Sequence, residues 1–86
     1  MNTLKRTITE AIKGEYPDRL TELESMTHDQ WVAYYRLIHS YTTGLWASDE
    51  WSWTIESAML KAGVKPQLAF TLALMRDRGA FALLMS

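Results

Sequence analysis

Cysteine is absent from the 86 residues, which excludes disulfides, thiol catalysis and thiolate metal sites. Glycine and proline are sparse, with four and two copies. No Asn-Gly or Asp-Gly pair occurs, so hairpin turns have no local signal. The glycines are isolated, and none builds a phosphate-binding loop. Charge of one sign is also missing. Nine Lys and Arg face ten Asp and Glu, for a net charge of -1, so nothing global draws the chain to nucleic acid or to an anionic membrane. Long apolar runs are absent too. The longest stretches, residues 68–75 and 80–85, are separated by Arg76, Asp77 and Arg78, and neither approaches the ~20 residues of a membrane span. Residues 7–10 do not form the apolar segment of a signal peptide, so the expected location is the cytoplasm.

What remains is an ordinary globular composition, 48% hydrophobic and 22% charged, in a length that suits one domain, residues 1–86. The aromatic load is heavy, with four Trp and four Tyr. A small domain uses such side chains to build a core from few residues. Trp and Tyr also dominate binding hot spots, and so many in one small domain are not all expected to be buried.

The spacing of apolar residues is helical throughout. Leu4, Ile8, Ala11 and Ile12 share one face, and Gly14 is the expected stop. Pro17 opens a short second helix carrying Leu20 and Leu23. Its acids, Glu22 and Glu24, point to different sides and are expected to be solvated. Thr27-His28-Asp29-Gln30 fits a capping box with Thr27 as N-cap. It opens a helix over residues 28–42 with Trp31, Tyr34, Tyr35, Ile38 and Tyr41 on one broad face, ended by Gly44. Ser48 is the expected cap of a fourth helix, with Asp49 and Glu50 in its first turn and Gly63 as its stop. Pro66 opens a fifth helix to about Asp77. Residues 80–85 form a last helical turn rather than a strand, because they lack β-branched side chains. The predicted fold is all-α, a compact domain of four to five short helices.

Chemistry is thinly supplied. His28 and His39 have no acidic orienter or nucleophile at a telling spacing, although His39 can sit over Tyr35. Two histidines and scattered carboxylates make no metal-ligand pattern. Asp49-Glu50 reads as helix-start charge. Neither Gln30, Arg36 and His39 nor Gln67, Arg76 and Arg78 makes a basic reading stripe for DNA. No enzyme activity, cofactor or metal is expected. Protein binding remains.

The fourth helix carries the sharpest argument. At 100° per residue, Trp51, Ile55, Ala58 and Ala62 fall within about 60°, while Trp53 and Leu60 lie roughly opposite. An outer helix can turn only one stripe inward, and the Ala-containing one permits close approach. Trp53 and Leu60 are therefore assigned to a binding face. Phe70 and Leu74 join them from the fifth helix, whose other side, Leu68, Leu72 and Met75, is expected in the core. Trp46, Tyr34 and Tyr41 complete the set of candidate protein-binding residues.

Residues 26–37, MTHDQWVAYYRL, resemble a segment of the small tail assembly chaperones of long-tailed bacteriophages. Met26, Thr27, Trp31, Ala33, Tyr34, Tyr35 and Arg36 are the matching positions. A second Trp-bearing segment, DEWSWTIESAML, follows over residues 49–60. The resemblance spans residues 20–62 and implies a protein that delivers tail-tube subunits to the tape-measure protein without catalysis. The alternatives are a small phage-encoded inhibitor that docks on a host complex, as anti-CRISPR proteins do, and a helical DNA-binding regulator. The expected partner is a phage tail protein or a host protein; self-association is compatible with the same surface, and membrane and nucleic acid are not expected.

Overall fold

The computed structural model of the protein describes residues 2–44 and 50–85. Six α-helices and one 3-10 turn account for nearly all of them: α1 (Asn2–Glu15), the 3-10 turn Pro17–Arg19, α2 (Leu20–Glu24), α3 (His28–Thr43), α4 (Glu50–Lys61), α5 (Pro66–Leu74) and α6 (Arg76–Met85). The all-α single-domain expectation holds, with one helix more than the upper count.

Each boundary has a local or a tertiary cause. Helix α1 runs straight through Gly14, whose backbone is not left-handed. It ends ahead of Pro17, which lacks the N–H needed to continue a helix. The Thr27 box forms in both directions. The Gln30 N–H donates to Thr27 Oγ1 at 3.2 Å, and the Thr27 N–H donates to Gln30 Oε1 at 2.9 Å. Two otherwise orphaned donors of α3 are satisfied this way. Thr27→Ala is expected to lower stability by about 1 kcal/mol; an unchanged midpoint in urea unfolding would show that the box contributes nothing.

The end of α4 is a Schellman turn. Gly63 sits at φ 92°, its N–H donating to the Leu60 carbonyl at 3.0 Å, while the Val64 N–H reaches the Met59 carbonyl at 3.0 Å. Glycine adopts this left-handed backbone without steric penalty. Val64 and Met59, which accompany the turn, are both buried. The turn folds α4 back on α5, and these two helices make the most extensive pairing in the molecule.

The fifth helix is shorter than its pattern suggests. It stops at Leu74, and α6 begins at Arg76 after the buried Met75. The last carbonyls of a helix have no partners within it, and here side chains supply them. Tyr34 Oη of α3 donates to the Leu72 carbonyl at 2.8 Å, and Arg76 Nη1 donates to the Ala73 carbonyl at 3.3 Å. The break lets α6 turn across α1 and α3. Gly79 lies at this crossing, where a Cβ would stand 3.1 Å from Leu4 Cδ1 and 3.3 Å from Ile38 Cγ2.

The core gathers Leu4, Ile8 and Ile12 of α1, Trp31, Tyr34 and Ile38 of α3, Ile55 and Met59 of α4, and Leu68 and Leu72 of α5. The inward stripe of α4 is rotated from its expected position. Ile55 and Met59 are its centre, Ala58 and Ala62 are half-buried, and Trp51 packs at its edge against Tyr41 in a T-shaped contact of 5.6 Å. Methionine fills this position because its flexible thioether adapts to an irregular gap.

Candidate protein-binding surface

Helix α1 turns Lys5, Arg6, Glu10 and Lys13 to solvent over its buried Leu4, Ile8 and Ile12. Charged residues on the outer face are what a surface helix of a small bundle usually shows. The C-terminal half departs from this. Among the described residues the exposed large apolar side chains lie on α4, α5 and α6, and their exposure runs from 42% at Leu60 and Leu74 to 71% at Trp53 and Met85.

On α4, burial of Ile55 and Met59 leaves Trp53 and Leu60 on the outer side, as their angular position predicts. On α5, the inward and flanking positions Leu68, Ala69, Thr71, Leu72 and Ala73 are all buried. The Thr71 hydroxyl donates to the Gln67 carbonyl at 2.8 Å, so its burial leaves no unsatisfied donor. The remaining face presents Phe70 and Leu74, one turn apart. The division expected for α5 puts Leu68, Leu72 and Met75 inside and Phe70 and Leu74 outside, as observed, but Ala73, grouped by its spacing with Phe70 and Leu74, is buried.

Helix α6 adds three residues that the sequence reading did not assign. Gly79, Ala80 and Ala82 face inward against α1 and α3, which leaves Phe81, Leu84 and Met85 outside. These three fall at i, i+3 and i+4 and so form one cluster. The signal was present in residue size. Small residues on one side of a helix mark the face that approaches its neighbours closely, and here the bulky residues occupy the other.

Two candidate binding residues are corrected. Tyr34 and Tyr41 are buried, at 0% and 3% exposure, and are unavailable to a partner. Each ring lies in the core, and each hydroxyl has a partner far away in sequence. Tyr34 holds the Leu72 carbonyl, and Tyr41 Oη donates to Asp77 Oδ1 at 2.5 Å. Burial pushes the Tyr34 hydroxyl pKa up. The hydrogen bond to Asp77, with partial burial, does the same for Tyr41. Trp46, Ser48 and Asp49 lie outside the described residues.

The histidines stand apart from one another. His28 is exposed in the first turn of α3, and His39 is exposed and stacked on Tyr35 at 6.2 Å. Among the described residues, no three His, Asp or Glu side chains are grouped to hold a metal ion. Nor is any helix long and apolar enough to cross a membrane. Glu24 is solvated as expected, but Glu22 is not. It is partly buried, and its Oε2 is shielded from solvent without a hydrogen-bond partner.

The positions on which the resemblance rests are mostly scaffold. Met26, Trp31 and Tyr34 are buried, Ala33 and Tyr35 pack against the core, Thr27 is the cap, and only Arg36 of the remainder points to solvent. Comparison with protein-family models, with curated proteins and with solved structures gives no match to this chain.

Proposed function

We propose that this chain is a non-catalytic protein-binding domain whose contact surface lies on the outer faces of α4, α5 and α6. One observation carries the reading: Trp53, Leu60, Phe70, Leu74, Phe81, Leu84 and Met85 are all exposed on three consecutive helices, while α1 is charged outside. Exposed apolar side chains scattered singly are ordinary, but clusters of large ones mark interaction sites. Trp is the residue type most enriched at the energetic centres of interfaces. A helix pair presenting Phe70 with Leu74 and Phe81 with Leu84 and Met85 suits an apolar groove or a second helix.

The resemblance over residues 20–62 supports phage tail proteins as the partner, with this domain shielding tail-tube subunits until they meet the tape-measure protein. Co-expression with the tail-tube and tape-measure proteins of the same genome tests this. Co-purification of either, lost on Phe81→Ser, is the expected result. Recovery of a host complex through the same residues would assign the inhibitor reading instead. Binding that survives substitutions on all three helices would remove the surface from consideration.

A further inference from the structure

On the side of α2 a cavity of about 220 Å³ opens between α2, the first turn of α3 and the α4–α5 turn. That is below the ~300–1,000 Å³ of pockets for drug-sized ligands, and it suits a single side chain. Its floor is apolar, formed by Met26, Val64 and Leu68, all of them buried. One wall is the Gln30 amide, held in place by two hydrogen bonds. Its Oε1 accepts from the Thr27 N–H, and its Nε2 donates to the Ala62 carbonyl at 3.0 Å. The Ser25 hydroxyl, on the opposite wall, spends its proton on the Thr21 carbonyl at 3.1 Å.

Glu22 also lines this cavity, and its Oε2 is buried without a donor. A carboxyl oxygen shielded from water and left unpaired is costly, and native structures rarely keep one without a reason. The cation one helical turn earlier does not serve it: Arg19 lies 3.6 Å from Asp18 and 5.1 Å from the centre of the Tyr16 ring. Lys65 lines the cavity mouth and is exposed, and among the described residues it forms no ion pair with Glu22.

We propose that this cavity binds a guanidinium group on an aliphatic stem, with Glu22 as its anionic partner and Met26, Val64 and Leu68 against the stem. A guanidinium supplies the missing donors in a planar fork that matches a carboxylate. It is also more weakly hydrated than an ammonium, and so less penalised in a half-enclosed site. The stem fits the apolar floor, as long cationic side chains commonly bury their methylenes. The site shares no residue with the apolar faces of α4, α5 and α6, so it stands or falls independently of the proposed function.

The test is a titration of the ¹⁵N-labelled full chain followed by amide chemical shifts. Agmatine at millimolar concentration should shift Thr21, Ser25, Gly63 and Lys65 saturably, whereas a neutral alkylurea of equal length should not. Glu22→Gln should weaken agmatine by about tenfold or more. Its thermal midpoint should not fall, because Glu22 Oε2 has no hydrogen bond to lose. Glu22→Asp, which keeps the charge but withdraws it, should weaken binding less. A capped arginine peptide that matches agmatine would identify a partner's side chain as the source. Free arginine binding much more tightly than either would identify a small zwitterion whose carboxylate meets Lys65. Both results support the guanidinium site. Equal binding of the neutral urea, unchanged affinity in Glu22→Gln, or no saturable shift would overturn it.

Discussion

Replacing Tyr34 by alanine is expected to remove about 3–5 kcal/mol of folding stability, and replacing it by phenylalanine about 1–3 kcal/mol. The ring is fully buried and meets Trp31 edge-on at 6.1 Å, so its loss opens a cavity at the centre of the core. A small domain holds about 5–15 kcal/mol in total, so the alanine variant would be close to unfolding at room temperature. The phenylalanine variant isolates the hydroxyl. Without it the Leu72 carbonyl loses its partner at the end of α5, where no helical N–H replaces it. Urea midpoints of the two variants separate the ring from the hydrogen bond. Amide exchange adds a local readout, because Tyr34→Phe should speed exchange around Met75 and Arg76 more than in α1. A phenylalanine variant as stable as the parent would show that the α5–α6 break does not depend on this bond.

Trp53→Ala should do the opposite, leaving stability nearly unchanged and weakening partner binding by about 2 kcal/mol or more, roughly thirtyfold in Kd. At 71% exposure the indole has little packing to lose, and its removal leaves no cavity. The natural control is Trp31→Ala. That side chain is buried, and its loss should reduce stability by about 3–5 kcal/mol. Calorimetric titration with the co-purified partner, paired with thermal melts of both variants, distinguishes the two roles. Undiminished affinity in Trp53→Ala would move the contact surface away from α4.

The outward placement of Trp53 was legible in the sequence, and the fate of the aromatic residues on α3 was not. Trp53 could be placed because a helix has two sides and its rival stripe held the small residues Ala58 and Ala62. The aromatic face of α3 gave no such choice. Trp31, Tyr34, Tyr35, Ile38 and Tyr41 all lie on it, and only the acceptors decide which hydroxyls go inside. Those acceptors, Leu72 and Asp77, are 38 and 36 residues away. The break at Met75 was hidden for the same reason. Neither proline nor glycine marks it, and its carbonyls are satisfied by a side chain from another helix and by Arg76. The Thr27 box and the Gly63 turn were readable because every atom they use lies within five residues. Glu22 failed as a fully solvated residue because it lines a cavity shared with α3 and the α4–α5 turn, which no property of a five-residue helix foretells.

The crossing at Gly79 sets a schedule for the newborn chain. Leu4 lies against Gly79, so α1 is completed by a helix made much later in synthesis. Ribosomes add about 5–20 residues per second, which leaves Leu4 waiting roughly 4–15 s for its cover. Until then α1 leans on α2, the 3-10 turn and Trp31 of α3, and part of its apolar stripe stays open to water and to other nascent chains. Long-range closures of this kind also slow folding after release, because the loop between the two ends must be gathered before the contact rewards it. The yield of this domain in cells should therefore follow the pace of synthesis and the supply of holding chaperones, as well as the depth of its native energy well.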